Sequence, residues 1–269
     1  MMEGFRQWFR GLVGFRSPIY AGIANLVFFL CCMVNGRSGL QLILMRRGEG
    51  RGRWLRFRNL LHPISVRPGT DDVVSIVNNI LREEYGRFTR EFAPSTIVDV
   101  GAYIGDTTAY FATRFGESRC IALEPNPESM ELAKQNLAPY GGRVELMTEA
   151  LWVREGSVNM GGGQTGSALS DGGFAVKTTT LQKIMEHLGV ARLGLVKMDI
   201  EGAELDVLKS GVGSWLGLID VLLLETHGVE IEVQVIPLLE GEGFKVRRYR
   251  NVWYCHHKIS FTSYDPIRL

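Results

Sequence analysis

Two short acid motifs in the second half of the chain carry groups that can hold protons. Asp199-x-Glu201 follows the apolar run Leu193–Met198, and Glu225-x-His227 follows the run Asp220–Leu224. Carboxylates and an imidazole in such positions can accept a proton or bind hydroxyl groups. Upstream, Ile97-Val98-Asp99-Val100 runs into Gly101-Ala102-Tyr103-Ile104-Gly105-Asp106-Thr107-Thr108. Glycines there let a backbone approach a ligand closely, and the helix start behind them offers free N–H groups. The next apolar run, Cys120–Leu123, ends in Glu124-Pro125-Asn126, with Glu124 lying 23 residues beyond Gly101. An acid at that strand tip suits the paired hydroxyls of a ribose.

The glycine spacing bears on which nucleotide is bound. A dinucleotide loop reads G-x-G-x-x-G, whereas this one reads Gly101-x-x-x-Gly105 with Asp99 in the turn region. An anion there repels a pyrophosphate and favours a cationic ligand with an amino group and a sulfonium. The residues therefore point to S-adenosylmethionine. Asp99, Gly101, Tyr103, Gly105, Asp106 and Thr107 are expected around its amino-acid end, and Glu124, Pro125 and Asn126 around its ribose. Glu149 and Ala150, at the tip of a third strand Val144–Met147, are expected beside the adenine. A dinucleotide, or a tight turn with no ligand, remains the alternative at this point.

Three blocks together resemble the FkbM family of S-adenosylmethionine-dependent methyltransferases: residues 97–107, 123–128 and 196–204 (Val-Lys-Met-Asp-Ile-Glu-Gly-Ala-Glu). Residues 67–72 with Tyr85-Gly86, and Glu225-Thr226-His227, resemble the flanking blocks, so the likeness spans roughly 53–250. It implies a class I methyltransferase fold and methylation of hydroxyl oxygens on sugars or polyketides. Tyr103 stands where the family often has Asn, and Gln182 where an Asp is usual.

The elements that must position these groups alternate between strand and helix patterns after residue 95, the signature of a mostly parallel, Rossmann-like α/β sheet with helices on both faces. Asn126 caps a helix with Pro127 at its first position. Thr70, followed by Asp71 and Asp72, predicts a helix continuing through Leu81 towards Gly86. Short strands are expected at 53–58 and 64–67, and a helix with a final strand pair at 230–239, 244–249 and 252–256. Glu204 suits the start of the helix after Asp199. The glycine-rich stretch 161–173 reads as a hairpin insertion or a lid.

Apolar residues make up 45% of the 269-residue chain and charged residues 22%, which excludes a mostly disordered protein. The four cysteines form no C-x-x-C pair or zinc-like spacing, so a reduced, cytoplasmic protein is expected. Residues 1–68 hold eleven arginines against Glu3 and Glu49, a local charge of +9, and the rest of the chain carries −8. Phe5, Trp8, Phe9 and Leu12 share one helical face, followed by the apolar runs Ile19–Val34 and Leu40–Met45. Residues 1–50 therefore read as a basic, apolar helical extension touching an anionic membrane surface at its inner face, and 51–269 as the catalytic domain. A helix packed on the domain, a span or a signal peptide are the alternatives. Arginines interleaved with aliphatic runs argue against nucleic acid, and nothing sets the oligomeric state.

The expected reaction is methyl transfer to an oxygen of a small-molecule or glycan acceptor. Asp199 and His227 are the candidate bases, with Glu201 and Glu225 binding acceptor hydroxyls. No metal is expected, since two carboxylates specify no ion. A non-catalytic nucleotide-binding module tethered at a membrane and a nicotinamide oxidoreductase are the rival readings.

Overall fold

The computed structural model describes residues 36–46, 48, 53–161, 168–169, 173–257, 260 and 265–269. The aromatic–arginine segment, the run Ile19–Val34 and most of the glycine-rich stretch 161–173 lie outside them.

A central sheet forms because several apolar runs must be covered on both faces, as parallel strands are. Its strands are β3 (Thr96–Val100), β4 (Arg119–Leu123), β5 (Val144–Met147), β10 (Leu193–Met198), β11 (Ile219–Glu225), β12 (Phe244–Tyr249) and β13 (Val252–His257). Their order is β12-β13-β11-β10-β3-β4-β5, and only β13 runs against its neighbours. The chain winds outward in opposite directions from β3 and β10, so the crevice at their carboxyl ends is the ligand edge of such a sheet.

Strand alternation splits the core into two layers. Ile97, Leu195, Val221 and Leu223 pack on one face, against α3 (Asp106–Arg114). Val98, Val100, Val196, Met198, Leu222 and Leu224 pack on the other, with α5 (Leu181–Leu188), α6 (Glu204–Gly211) and α7 (Val229–Gly241). Asp99 and Lys197 occupy the first face and sit opposite each other in the parallel register. α4 (Pro127–Leu137) follows β4, with Asn126 Oδ1 accepting from the backbone N–H groups of Glu128 and Ser129. A smaller sheet, β6 (Ala150–Leu151), β7 (Gly156–Gly161), β8 (Ala168–Leu169) and β9 (Phe174–Thr179), is inserted after β5.

Two expectations need correction. The helix at Thr70 does not run to Gly86: α2 spans Asp72–Ser75 and continues as a wider π turn, Ile76–Leu81. In this wider stretch Asn79 donates to Asp106 on α3 at 2.9 Å. The N-terminal extension is not separate from the domain throughout. Helix α1 (Gly36–Arg46) buries Leu42 and Met45 in the core, while Leu40 and Leu44 remain exposed. At least residues 36–46 thus belong to the domain, because the core beside the hairpin β1 (Arg53–Leu55) and β2 (Ile64–Val66) is closed by them.

Leu42→Ala should lower the unfolding free energy by about 2–5 kcal/mol, the loss typical of a buried leucine. Urea denaturation is the measurement, and an unchanged midpoint would contradict the packing of α1.

Candidate active site

A cavity of about 310 Å³ opens at the carboxyl ends of β3, β4, β10 and β11. At its floor the chain leaves β3 through Gly101, whose φ of +80° already favours glycine. A Cβ at Gly101 would stand 2.0 Å from the Asp199 carbonyl oxygen. The turn therefore packs directly on the tip of β10, and glycine is the residue that permits it.

Lys197 locks the same junction from below. Its ammonium donates to the carbonyls of Gly101 (2.6 Å) and Val100 (3.3 Å) and lies 3.5 Å from both Asp99 and Asp199. Burial opposes the charge, but Asp199, Asp99 and Glu225 outweigh it and hold the lysine pKa above its ordinary value. Asp99 itself is fully buried and accepts from Thr108 Oγ1 at 2.6 Å. It stands behind the described wall of the cavity, its carboxylate 3.5 Å from the Lys197 ammonium. Gly105 and Asn126 also stand outside the described wall, the first starting α3 in a left-handed conformation and the second capping α4.

The other expected cofactor residues line the cavity. Gly101, Tyr103, Asp106, Thr107, Glu124, Pro125, Glu149 and Ala150 all stand in its wall. Glu124 accepts from the backbone N–H groups of Tyr103 and Asn126 at 2.8 Å each. Burial nonetheless pushes its pKa up to about 7. The Tyr103 hydroxyl donates to Asp72, a buried carboxylate that also pairs with Arg67 at 2.8 Å. Asp106, held by Ser75 and Asn79, is pushed up to about 6 by burial. Gln182 sits exposed on α5, bonded to Glu186 and outside the described wall of this cavity.

Asp199, Glu201 and Glu225 line the same cavity. Tyr85 donates to Glu225, whose pKa burial and Asp199 together push up to about 7. Glu201 adopts φ +53°, a left-handed conformation that turns the chain sharply before α6. His227 Nδ1 bonds Glu204 at 2.7 Å, and its Nε2 faces Asp199 and Glu201 at 3.5 Å each. The bond to Glu204 pushes the imidazole up to about 9. At neutral pH this shift favours the protonated ring, a cation beside Asp199 and Glu201. Asp199, Glu201 and His227 offer three ligand atoms within 4.8 Å of one another, a set that could hold a metal ion.

Sequence reasoning missed Lys197, Tyr85 and the second role of Glu204. Glu204 is buried and does accept from Gly202 N–H near the start of α6, but it also orients His227. The one sequence signal for Lys197 was a charge inside an otherwise apolar strand.

The cavity accommodates the expected cofactor chemistry, since glycine at 101 leaves its floor open and Glu124 presents a buried carboxylate in its wall. Gly101→Ala should abolish measurable S-adenosylmethionine binding in calorimetry, and wild-type affinity would contradict the cradle. NMR titration should find His227 near pH 9, moving towards its ordinary value in Glu204→Gln. Because the folded value lies above 6.5, the stabilisation is complete below pH 6.5 and is lost as pH rises through about 9.

Residues 99–249 match the model of the methyltransferase FkbM domain. The hexuronic acid methyltransferase AglP of Haloferax volcanii is 25% identical over 171 residues, covering 57% of this chain and 70% of that protein. Methyltransferase sdnD of Sordaria araneosa is 27% identical over 197 residues, covering 58% and 76%. The structure of Aeropyrum pernix fibrillarin with S-adenosyl-L-methionine aligns over 61% of this chain and 66% of that one, at 11% identity and a TM-score of 0.39. The sheet is that of a class I, Rossmann-like methyltransferase, the cofactor is S-adenosylmethionine, and the chain belongs to the FkbM methyltransferase family.

Proposed function

We propose that this methyltransferase transfers the methyl group to a hydroxyl oxygen of a sugar, glycolipid or other polyhydroxylated small molecule. The observation that carries this reading is the convergence of Asp199, Glu201 and Glu225 on the cavity that also holds Gly101 and Glu124. The sugar-directed name of the Haloferax volcanii relative adds weight to it.

Bound S-adenosylmethionine supplies an electrophilic methyl group whose sulfonium makes it reactive without further activation. The protein's part is alignment and proton removal. Glu201 and Glu225 accept hydrogen bonds from acceptor hydroxyls and fix which oxygen faces the donor. Asp199 accepts the proton of the reacting hydroxyl. Lys197 and His227, each 3.5 Å from its carboxylate, hold it in place. His227, as a cation, offsets negative charge that develops on the acceptor oxygen.

A second reading concerns the N-terminal segment. Its arginine excess, together with Leu40 and Leu44 exposed on α1, favours peripheral contact with an anionic leaflet at the cytoplasmic face. Among the described residues no helix is long and apolar enough to cross a membrane.

Asp199→Asn should lower kcat at least ~100-fold while changing cofactor affinity little, the pattern of a group used in the chemical step. Equal turnover would remove Asp199 from the mechanism. In the wild type, kcat/KM should rise with pH through about 7 as Glu225 ionises and fall above about 9 as His227 loses its proton. A flat profile across that range would separate both groups from catalysis. A pure nucleotide-binding module would bind cofactor and form no methylated product at all. Full-length protein should also sediment with anionic vesicles, less so in high salt; sedimentation equal with neutral vesicles would reject the charge-driven contact.

A further inference from the structure

We propose that Asp199, Glu201 and His227 form a binding site for a single divalent transition-metal ion between Mn²⁺ and Zn²⁺ in the first row. Along the sequence only two carboxylates stand together, and two specify no ion. The fold adds a third donor, because the loop after β11 returns over the start of α6 and brings His227 beside them. The three ligand atoms all lie within 4.8 Å of one another. His227 Nε2 is 3.5 Å from Asp199 Oδ1 and 3.5 Å from Glu201 Oε2. That is longer than a normal N–H···O bond. It is close to the spacing, about 3.4 Å, of two donors at the tetrahedral angle on an ion ~2.1 Å from each.

The surroundings hold each donor in that pose. His227 Nδ1 bonds Glu204 Oε1 at 2.7 Å, which leaves Nε2 facing the two carboxylates. Metal-binding imidazoles are commonly oriented by a carboxylate on the other ring nitrogen in this way. The same Glu204 oxygen accepts from the backbone N–H groups of Ile200 (3.4 Å) and Gly202 (3.2 Å), on either side of Glu201. One side chain thus fixes both the histidine and the turn that carries the two acids. Glu204 is fully buried, and its Oε2 has no hydrogen-bond partner among the described residues. An ion on the far nitrogen of the same ring would compensate that charge. Lys197 engages Oδ2 of Asp199 and leaves Oδ1 towards the histidine. One imidazole and two carboxylates suit Mn²⁺ to Zn²⁺ better than Mg²⁺ or Ca²⁺, which prefer oxygen donors alone. Binding replaces the Nε2 proton, which goes to solvent, so the ion carries the positive charge that the imidazolium carries without it. Asp199 and Glu201 line the cavity, and three protein donors leave room on the ion for a further oxygen. The site goes beyond the transferase reading and does not depend on it.

The test uses full-length protein stripped with a chelator and titrated with Mn²⁺, the bound ion being read by electron paramagnetic resonance. One saturable site per chain is expected, with nitrogen coupling from the imidazole, and Zn²⁺ should displace the Mn²⁺. His227→Ala should remove the nitrogen coupling. Glu201→Gln, at a partly exposed position, and Glu204→Gln should each weaken binding at least ~10-fold. Glu117→Gln, an exposed acid outside the cluster, should leave it unchanged. Circular dichroism checks that each variant folds, and Glu201→Gln decides if His227→Ala does not. No saturable binding up to ~1 mM Mn²⁺, the weak end of protein divalent-cation sites, would overturn the proposal. So would an affinity changed less than ~3-fold in Glu201→Gln, short of what a lost ligand costs, or nitrogen coupling that persists in folded His227→Ala. Each of these results leaves the transferase reading standing, because that reading is judged by methylated product.

Discussion

The arrangement of the site depends on one buried ammonium group. Lys197 sits near the carboxyl end of β10, nearly inaccessible, between Asp99 of β3 and Asp199 just beyond its own strand. At an effective dielectric of ~20, a pair of unit charges at this separation attracts by about 5 kcal/mol, against a desolvation penalty of several kcal/mol for each buried ion. Such a pair is marginal as a source of stability. Its geometric consequence is larger, because the donors not aimed at carboxylates hold the carbonyls of Val100 and Gly101. The Gly101 turn and the strand tip that carries Asp199 are thereby one rigid unit.

This unit requires the two-layer alternation of the sheet. Had β3 and β10 paired one residue out of register, Lys197 would face an apolar partner rather than Asp99. The register also brings the Asp199 carbonyl against Gly101, so that no side chain fits there. Around this centre the remaining acids are each held by a specific donor: Glu225 by Tyr85, Glu204 by His227, and Asp72 by Arg67 and Tyr103. Of these, Glu225 lines the cavity itself, while Glu204 and Asp72 hold His227 and Tyr103.

Much of the fold was legible because it rests on local patterns. The runs at 97–100, 120–123, 144–147 and 193–198 are apolar throughout or nearly so, and Asn126-Pro127 and Gly101 carry unmistakable cap and turn chemistry. The acids at the strand tips followed from where such strands end. Long-range pairings were not legible. Lys197 has meaning only through its parallel neighbour, and Glu204 bonds His227 because the loop after β11 returns over the start of α6. The polar pair Asn78-Asn79 gave no sign that the helix widens into a π turn, since the partner of Asn79 is on α3. Leu42 and Met45 looked like part of a membrane-facing run because apolar periodicity is the same whether lipid or protein covers it.

The most direct test of this account is Lys197→Met, which preserves much of the side chain's length and removes its charge. The account predicts a loss of about 3–5 kcal/mol in unfolding free energy, as expected when one partner of a buried ion pair is removed. It also predicts at least ~100-fold weaker S-adenosylmethionine binding in calorimetry, because the Gly101 turn is no longer fixed. A variant with wild-type stability and wild-type cofactor affinity would contradict the claim that this ammonium group builds the site.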